Sequence, residues 1–267
     1  MQPTAATPAP DEEYGSTFKD LERQHRTYLP KEQYAVIRLD GRAFRTYTRG
    51  LNKPYDEQFM ADMDAAARAV ATALHGVRLT YVQSDEISVI ITAWDPTRDP
   101  DEARRGQLMF GGAVQKLITI AASVCSVEFN RRRPDGGTAL FDARAFSLDS
   151  PANVRDYLSW RQADARRNTL SMLARTKFSA KQLNALGTRE QHELLLGIGV
   201  DPADLPVGFT QGRILIPGTE PGTTTFTHER THETQTVTYE RSVLNLSDAP
   251  DFRTAGADLI PEPPRTR

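Results

Sequence analysis

The sequence is poor in cysteine, in long apolar runs and in net charge, and each shortage has a consequence. Its one cysteine, Cys125, can form no disulfide within the chain. A free cysteine in an apolar helical pattern is typical of a core residue in a reducing compartment, so we expect a cytoplasmic protein. No apolar run reaches the roughly 18 residues that span a bilayer, so we expect no membrane partner. The net charge of −2 leaves nucleic acid open as a partner, because Arg131–Arg133 and Arg161–Arg167 are locally basic.

The rest of the composition is that of a soluble globular protein, with 39% apolar and 25% charged residues among 267. Residues 1–15 start Ala-, Pro- and Thr-rich without the features of a signal peptide, and we expect a disordered lead. The patterns that follow predict an α+β domain over 16–176 and a C-terminal extension with a helix and a hairpin over 177–247. A flexible tail is expected over 248–267.

Hydrophobic periodicity predicts the order β-α-β-β-α-β in the first domain, after a helix over 16–28. The predicted elements are a strand ending at Asp40, a helix from Asp56 to His75, strands over 78–82 and 86–92, a helix over 103–129, and a strand over 138–146. A helix starting at Ser150-Pro151 and reaching at least Leu173 follows. The order is that of the ferredoxin-like split βαβ unit, an antiparallel sheet with helices on one face. We expect acidic strand residues on the open face.

The C-terminal extension contains a sequence that matches a zinc protease motif. We expect a helix over 179–196, a strand over 209–216 and a hairpin pairing 223–227 with 234–240. His228-Glu229-Arg230-Thr231-His232 matches H-E-x-x-H, which needs both histidines on one face of a helix. Its flanks are rich in β-branched residues, which favour strands, so we do not expect a protease.

Two predicted strands each place a carboxylate at the edge of the sheet. The strand ending at Asp40-Gly41 and the pattern around Ser84-Asp85 both place an acid in apolar surroundings, where it is costly unless paired or bound to a cation. Asp40, Asp85 and the carbonyl of Gly41 would be hard oxygen ligands suited to Mg²⁺, and Ser84 could contact a phosphate. The alternative for either acid alone is an arginine partner.

Cationic residues near these acids could bind a polyphosphate or RNA. Lys53 follows the first acidic turn, and Lys116 interrupts an apolar helix face, where a lysine is commonly just solvated. The predicted helix after Pro151 carries a basic stretch beside Trp160 that either forms surface salt bridges or supports RNA binding: Arg161, Asp164, Arg166, Arg167 and Asn168.

With these residues in view, the sequence resembles the tRNA-histidine guanylyltransferases and their bacterial relatives, the 3′-to-5′ polymerases. The matching stretches lie in the family's order over about 34–175. They are Arg38-Leu39-Asp40-Gly41-Arg42, Lys53-Pro54, Gln83-Ser84-Asp85-Glu86, Phe141-Asp142-Ala143-Arg144 and Tyr157-Leu158-Ser159-Trp160-Arg161-Gln162-Ala163-Asp164. The last run is highly specific, whereas Asp-Gly-Arg alone is not.

The resemblance implies a palm domain like that of polymerases, with two Mg²⁺ ions on Asp40, Gly41 and Asp85 and with Asp40 and Asp85 as the catalytic residues. It implies nucleotide contacts from Asp40, Gly41, Arg42, Ala43, Phe44, Arg45, Lys53, Ser84, Asp85 and Lys116. It also implies tRNA as partner, GTP and ATP as substrates, and a homotetramer. The RNA 5′-phosphate would first be activated by a nucleoside triphosphate and then attacked by the 3′-hydroxyl of an incoming nucleotide.

One departure bears on the reaction. After Asp164 the eukaryotic enzymes carry His-Ile-Asn-Asn-Leu-Tyr-Asn, of which this chain keeps only Asn168 and Leu170. The missing histidine favours templated repair of 5′-truncated tRNAs over strict guanylate addition. Two alternatives stay open at this point. One is a palm-fold nucleotide- or RNA-binding protein without catalysis, and the other is a nucleotidyl cyclase or forward polymerase.

Overall fold

The computed structural model describes residues 10–103, 105–227, 230 and 234–264. Its helices are α1 (Pro10–Gln24), α2 (Phe44–Tyr47), α3 (Glu57–Ala73), α4 (Pro100–Ala103), α5 (Val114–Arg132), α6 (Pro151–Lys177), α7 (Ala180–Leu183), α8 (Thr188–Gly197) and α9 (Val207–Thr210). Its strands are β1 (Tyr34–Gly41), β2 (Val77–Gln83), β3 (Glu86–Ile91), β4 (Phe141–Leu148), β5 (Arg213–Thr227) and β6 (Thr234–Asp248). Among the described residues, no helix is long and apolar enough to cross a membrane.

The six strands form one sheet in the order β4-β1-β3-β2-β5-β6, and every neighbouring pair is antiparallel. The first four strands, with α3 and α5 as crossovers, have the order of the ferredoxin-like split βαβ unit, so the predicted fold class is confirmed. The hairpin of β5 and β6 extends this sheet beyond β2.

Both faces of the sheet are covered around β1, where successive residues point to opposite sides and each side packs into its own apolar cluster. Odd-numbered residues of β1, such as Ile37 and Leu39, pack with α3 and α5 in the larger apolar cluster. Even-numbered residues, such as Val36, pack against α6 and a C-terminal segment that contains Phe252. The expectation of an open second face is therefore wrong over this area. The predicted acids lie at the edge where β1 ends and β2 turns into β3.

Local chemistry explains the helices that were predicted correctly. Asp56 caps α3 by accepting a hydrogen bond from the backbone N–H of Phe59 at 2.8 Å. Ser150 does the same for α6 through Asn153 at 3.2 Å. Cys125 is buried in α5, as expected.

The helix predicted over 103–129 is wrong in its first part. Helix α4 ends at Ala103, and α5 begins only at Val114. Phe110, Gly111 and Gly112 between them all have positive φ angles, which no α-helix can contain. A Cβ on Gly112 would lie 2.6 Å from the carbonyl oxygen of Leu29, so this close approach requires glycine.

The predicted termini also need correction. Helix α1 starts at Pro10, ahead of the expected Ser16, and proline suits the first turn of a helix. Residues 1–9 of the predicted lead lie outside the described part. The tail expected to be flexible after 248 is packed over much of its length, because Phe252 and Ile260 bury their side chains against the sheet.

The C-terminal extension differs in its details. The helix expected over 179–196 is two helices, α7 and α8, and α8 packs its Leu195 against the second half of α6. The strand expected from Phe209 starts at Arg213 instead. The hairpin is confirmed but longer, with Thr223 opposite Thr238 and Thr227 opposite Thr234.

Candidate active site

Two rows of charged residues cross the sheet at the end of β1, on the face covered by α6. In the first row Asp40 lies between Glu86 of β3 and Asp142 of β4. In the next row Arg38 lies opposite Arg144. Side chains directly opposite each other in antiparallel strands have Cβ atoms about 4.5–5.5 Å apart. The fold therefore sets acid against acid and base against base.

A neighbouring helix neutralises one acid of the first row. Arg161 of α6 donates two hydrogen bonds of 2.7 Å to the carboxylate of Glu86, and both side chains are buried. The same guanidinium donates to Asp164 at 2.9 Å and stacks on the ring of Trp160 at 4.3 Å. For this stretch of α6 the sequence left open salt bridges or RNA binding. In the structure Arg161 and Asp164 form a salt bridge with each other.

Asp85 lies in the tight turn between β2 and β3, beside the end of β1. The N–H of Gly41 donates to the backbone oxygen of Asp85 at 3.1 Å, which ties the two predicted acidic segments together. The hydroxyl of Ser84 donates to the Asp85 carboxylate at 2.9 Å. Burial raises the pKa of Asp85 to about 6, the charges of Asp40 and Glu86 add to the rise, and the Ser84 hydrogen bond opposes it.

This arrangement fits a hard divalent cation. The carboxylates of Asp40 and Asp85 are close enough to repel each other, and Gly41, whose carbonyl is the third predicted ligand, directly follows Asp40. Oxygen ligands with uncompensated negative charge are what Mg²⁺ prefers. Within the described residues no group of three His, Cys, Asp or Glu side chains could hold a metal ion. His228, Glu229 and His232 of the H-E-x-x-H match lie outside the described residues.

The turn after Asp40 is held by a buried ring. A Cβ on Gly41 would lie 2.3 Å from Cδ2 of Phe44, so only glycine lets the turn fold over this ring. Phe44 is buried against Tyr47, Phe59, Phe129 and Phe141. Its side chain is therefore part of the core, and only its main chain is left for the predicted nucleotide contact.

A cleft of about 900 Å³ is lined by five of the ten residues that were predicted to contact a nucleotide. Its wall includes Arg45, Lys53, Ser84 and Asp85. Lys53 donates to the backbone oxygen of Thr48 at 3.0 Å, and its ammonium remains exposed. Asp40 and Gly41 at the end of β1 do not line this cleft, and neither do Arg42 and Ala43, which are exposed in the same turn.

Lys116 is not brought to this cleft. It lines another cleft with Tyr28 and Phe110, and its ammonium lies 5.6 Å from the Phe110 ring centroid. The part of α5 that reaches the Asp40 turn is Phe129, whose ring contacts Phe44. Lys116 lies more than three helical turns earlier, a distance on the order of 20 Å. A contact from Lys116 to the same nucleotide is therefore not available within one chain of this conformation.

The remaining predicted residues of α6 have different surroundings. Arg166 pairs with Asp251 at 3.0 Å and donates to the side-chain oxygen of Gln211 at 2.9 Å, which fastens α6 to the C-terminal segment. Arg167 pairs with Asp164 at 2.7 Å, and Asn168 is exposed.

A larger cleft of about 1010 Å³ lies between α3 and the hairpin of β5 and β6. It contains none of the predicted site residues and no pair of neighbouring acids on strand ends. Volume alone therefore does not select the site.

The sequence did contain a signal for residues that were not predicted. Arg38-Leu39-Asp40 and Asp142-Ala143-Arg144 are mirror images with the same spacing of two. When such segments pair antiparallel, like charges meet on one face. The alternation of side chains along a strand could also have placed Glu86 in the site, because Glu86 lies opposite Asp40 on the same face of the sheet.

An antiparallel βαββαβ sheet with carboxylates at the end of β1 and in the β2–β3 turn is the arrangement of the palm fold. A family model described as tRNAHis guanylyltransferase matches residues 15–149. The chain belongs to the tRNA(His) guanylyltransferase family, and the relatives that carry this name are nucleotidyltransferases.

Relatives and solved structures agree with this assignment. A probable tRNA(His) guanylyltransferase from Drosophila melanogaster is 30% identical over 76% of this chain and 72% of its own length. The tRNA(His) guanylyltransferase of Schizosaccharomyces pombe is 30% identical over 76% of this chain and 79% of its own. A bacterial tRNA(His) guanylyltransferase-like protein in complex with ATP has a TM-score of 0.70 and 33% identity over 76% of this chain and 88% of its own. A bacterial protein of the same description in complex with GTP has a TM-score of 0.73 and 26% identity over 93% of this chain and 99% of its own.

Proposed function

We propose that this protein adds nucleotides to the 5′ end of tRNA in the 3′-to-5′ direction, after a nucleoside triphosphate has activated that end. Besides membership of the family, one observation in the structure supports this proposal. Asp40 opposes Asp142 and Arg38 opposes Arg144 in adjacent rows of one sheet face. Like charges directly opposite each other are destabilising. The protein offsets these repulsions in part, since Arg38 Nε lies 3.9 Å from Glu86 and Arg144 pairs with Asp142 at 3.2 Å. A metal-bound polyphosphate would supply cations to the acids and phosphates to the arginines.

The proposed roles follow from position. Asp40, Asp85 and the Gly41 carbonyl would hold two Mg²⁺ ions. When bound, these ions would lower the pKa of the attacking 3′-hydroxyl and offset charge on the phosphoryl oxygens. Ser84 and Lys53 face the cleft and contact the triphosphate of the nucleotide. Arg38 and Arg144 hold the phosphates of the RNA end, and Arg161 keeps Glu86 paired beside them.

The reaction can be guanylate addition to tRNA(His) or templated repair of truncated tRNAs. Relatives named tRNA(His) guanylyltransferase support the first. The second is supported by Arg166, which replaces the histidine of the eukaryotic run and is engaged with Asp251. Full-length tRNA(His) and a 5′-truncated tRNA, each offered with single nucleotides, distinguish the two by which RNA is extended and whether the added base follows the template.

The decisive experiment uses labelled 5′-truncated tRNA with a 5′-monophosphate, Mg²⁺, and ATP or GTP for activation. The wild-type protein should extend the 5′ end, and Asp85→Asn and Asp40→Asn should reduce extension at least a hundredfold. Glu193→Gln on the exposed face of α8 is the matched control and should leave extension unchanged. A wild-type protein that binds tRNA and nucleotide but extends no end would instead be the non-catalytic palm-fold binding protein.

A homotetramer in the cytoplasm is proposed on the family resemblance. Exposed apolar residues on α1 and α5 offer a surface for such contacts, among them Phe18, Leu21, Ile120 and Val127. Light scattering of the purified protein should give the mass of four chains, and Val127→Asp should lower that mass.

A further inference from the structure

One aromatic side chain of α6 has no role in the proposed mechanism. Trp160 exposes 53% of its surface, whereas Trp94, the other tryptophan of the chain, is buried. A single exposed aromatic side chain is common on protein surfaces and does not by itself mark a site. Trp160 differs because its neighbours hold the ring in one place and because it lies beside the rows of charged residues.

Two contacts hold the indole ring of Trp160. The guanidinium of Arg161 lies over the ring at 4.3 Å from its centroid, and the two hydrogen bonds to Glu86 fix that guanidinium. The ring of Tyr157 packs against the indole with centroids 6.1 Å apart, and its hydroxyl is hydrogen-bonded to Ser88 at 2.8 Å. Since Arg161 covers one face, the indole is open on its other side. A ring that is already held in position loses little conformational entropy when a ligand stacks on it.

The ring lies close to the acids at the end of β1. Arg161 connects the two, because it contacts the indole and donates to Glu86. Glu86 is opposite Asp40 in the sheet, where neighbouring strands lie about 5 Å apart. One side chain and one strand spacing therefore separate Trp160 from Asp40. A nucleotide whose phosphate is held at the end of β1 can place its base on this ring.

Trp160 is also connected to an arginine that is proposed to hold phosphate. Phe146 of β4 contacts the ring of Tyr157, with centroids 5.4 Å apart, and Tyr157 contacts Trp160. Phe146 follows Arg144 by two residues, so their side chains lie on the same face of β4. Trp160 is therefore on the β4 side of the acids. It is not among the described residues that line the cleft with Lys53.

The surroundings of Trp160 favour a nucleic-acid base over a protein partner. Within α6, all of which is described, Trp160 is the only exposed large apolar side chain. The residues one turn before and after it, Asp156 and Asp164, are charged, and Arg167 pairs with Asp164. A protein-docking patch needs further apolar side chains around its aromatic anchor. A lone ring among charged groups suits a base, which stacks by its face while its phosphates pair with cations such as Arg144.

We propose that Trp160 stacks on a base at the 5′ end of the RNA substrate. The proposal rests on the proposed function, because that function places the 5′-phosphate beside Asp40 and Arg144. Stacking holds the terminal nucleotide with its phosphate directed at the acids, while the incoming nucleotide occupies the cleft with Lys53. Trp160 is thus a binding residue for the RNA and not for the free nucleotide.

Tryptophan fluorescence measures this contact directly, because a base stacked on an indole quenches its emission. In the wild-type protein, 5′-truncated tRNA with a 5′-monophosphate should quench part of the emission. GTP and inorganic tripolyphosphate, each with Mg²⁺, should quench none of it. Trp160→Leu retains only the buried Trp94, so the quenching by tRNA should vanish in that variant. The same tRNA with an abasic 5′-terminal nucleotide should quench the wild-type protein much less.

Affinity gives a second readout. Trp160→Leu should weaken binding of 5′-truncated tRNA about tenfold, and Trp160→Phe should keep most of the affinity because it retains a ring for stacking. Neither variant should change the binding of GTP or tripolyphosphate. Phe226→Leu, at an exposed position on the hairpin, is the matched control and should change no affinity. If Trp160→Phe loses as much affinity as Trp160→Leu, the side chain acts through the position of Arg161, and the stacking proposal is overturned.

The other outcomes each overturn the proposal in a different way. Quenching by GTP and not by tRNA would assign the ring to the free nucleotide. A change of emission on dilution of the protein alone would assign it to an interface between copies of the chain. Equal quenching by the intact and the abasic tRNA would place another base of the RNA on the ring. No quenching by any probe would leave the ring without a ligand among them.

Failure of this inference can be distinguished from failure of the proposed function. If the wild-type protein extends 5′ ends but Trp160→Leu binds tRNA as tightly as the wild type, the stacking site is wrong and the function stands. If the wild-type protein extends no 5′ end but the intact tRNA quenches Trp160 and the abasic tRNA does not, the stacking site stands and the function is wrong.

Discussion

Arg161 and Glu86 form a buried ion pair with two hydrogen bonds of 2.7 Å, and it fastens α6 to the first residue of β3. Glu86 directly follows Asp85, so this pair also fixes the turn that carries a proposed metal ligand. Since Glu86 is opposite Asp40, neutralising it removes one of the negative charges that crowd the end of β1.

We predict that Arg161→Met destabilises the protein by about 3–5 kcal/mol, because it leaves the buried carboxylate of Glu86 beside two other acids with only the longer Arg38 contact of 3.9 Å. The double variant Arg161→Met/Glu86→Gln should recover part of that loss, since it removes the buried charge of Glu86 but also takes the acidic partner of Arg38. Urea denaturation of both variants measures the free energies of unfolding. Arg167→Met is the control, because Arg167 pairs with Asp164 at the surface. Its loss should stay within about 1 kcal/mol, and a loss as large as that of Arg161→Met would contradict the argument.

Gly41→Ala should destabilise the protein by about 1–3 kcal/mol, because the new methyl group would lie 2.3 Å from the Phe44 ring. That ring cannot turn aside, since it is packed among four other aromatic rings. Gly50→Ala is the matched control, because a Cβ on Gly50 meets nothing within 4 Å. The thermal midpoint of Gly41→Ala should be lower than that of Gly50→Ala. Equal midpoints would show that the Phe44 ring can move to make room for the methyl group.

The local parts of this site could be predicted from sequence, and the long-range parts could not. The Asp56 cap and the apolar spacing of α3 lie within a few residues of each other, and Asp40 and Asp85 each end an apolar run. The separation of Lys116 from the cleft with Ser84 and Asp85 could not be predicted, because it depends on the direction of a whole helix. Phe209 and Arg213 reach the cleft through the pairing of β5 with β2, and no local pattern reveals that pairing.

Asp85→Asn should show whether Asp85 binds Mg²⁺ or only stabilises the fold, because the two roles predict different thermal midpoints with and without Mg²⁺. Without Mg²⁺, Asp85→Asn should leave the thermal midpoint unchanged or higher, because the variant no longer opposes Asp40 and Glu86. Mg²⁺ at about a hundredfold excess over its Kd should stabilise the wild-type protein by about 2.7 kcal/mol and the variant hardly at all. Thermal unfolding with and without Mg²⁺ measures both effects. An equal Mg²⁺ response in the two proteins would place the ion elsewhere.

Arg38 and Arg144 face each other across two strands, and we expect them to bind phosphates. Removing Arg144 should weaken anion binding, whereas removing the negative charge of Asp142 should strengthen it. Arg144→Gln removes one of two facing cations and should weaken tripolyphosphate binding about tenfold. Asp142→Asn should strengthen that binding, because Asp142 draws the Arg144 guanidinium toward itself at 3.2 Å. Arg98→Gln, at an exposed surface pair, is the control and should change nothing. Titration calorimetry at two salt concentrations measures these affinities. If both substitutions weaken binding alike, they act through the fold of the strand and not through the charge presented to the phosphates.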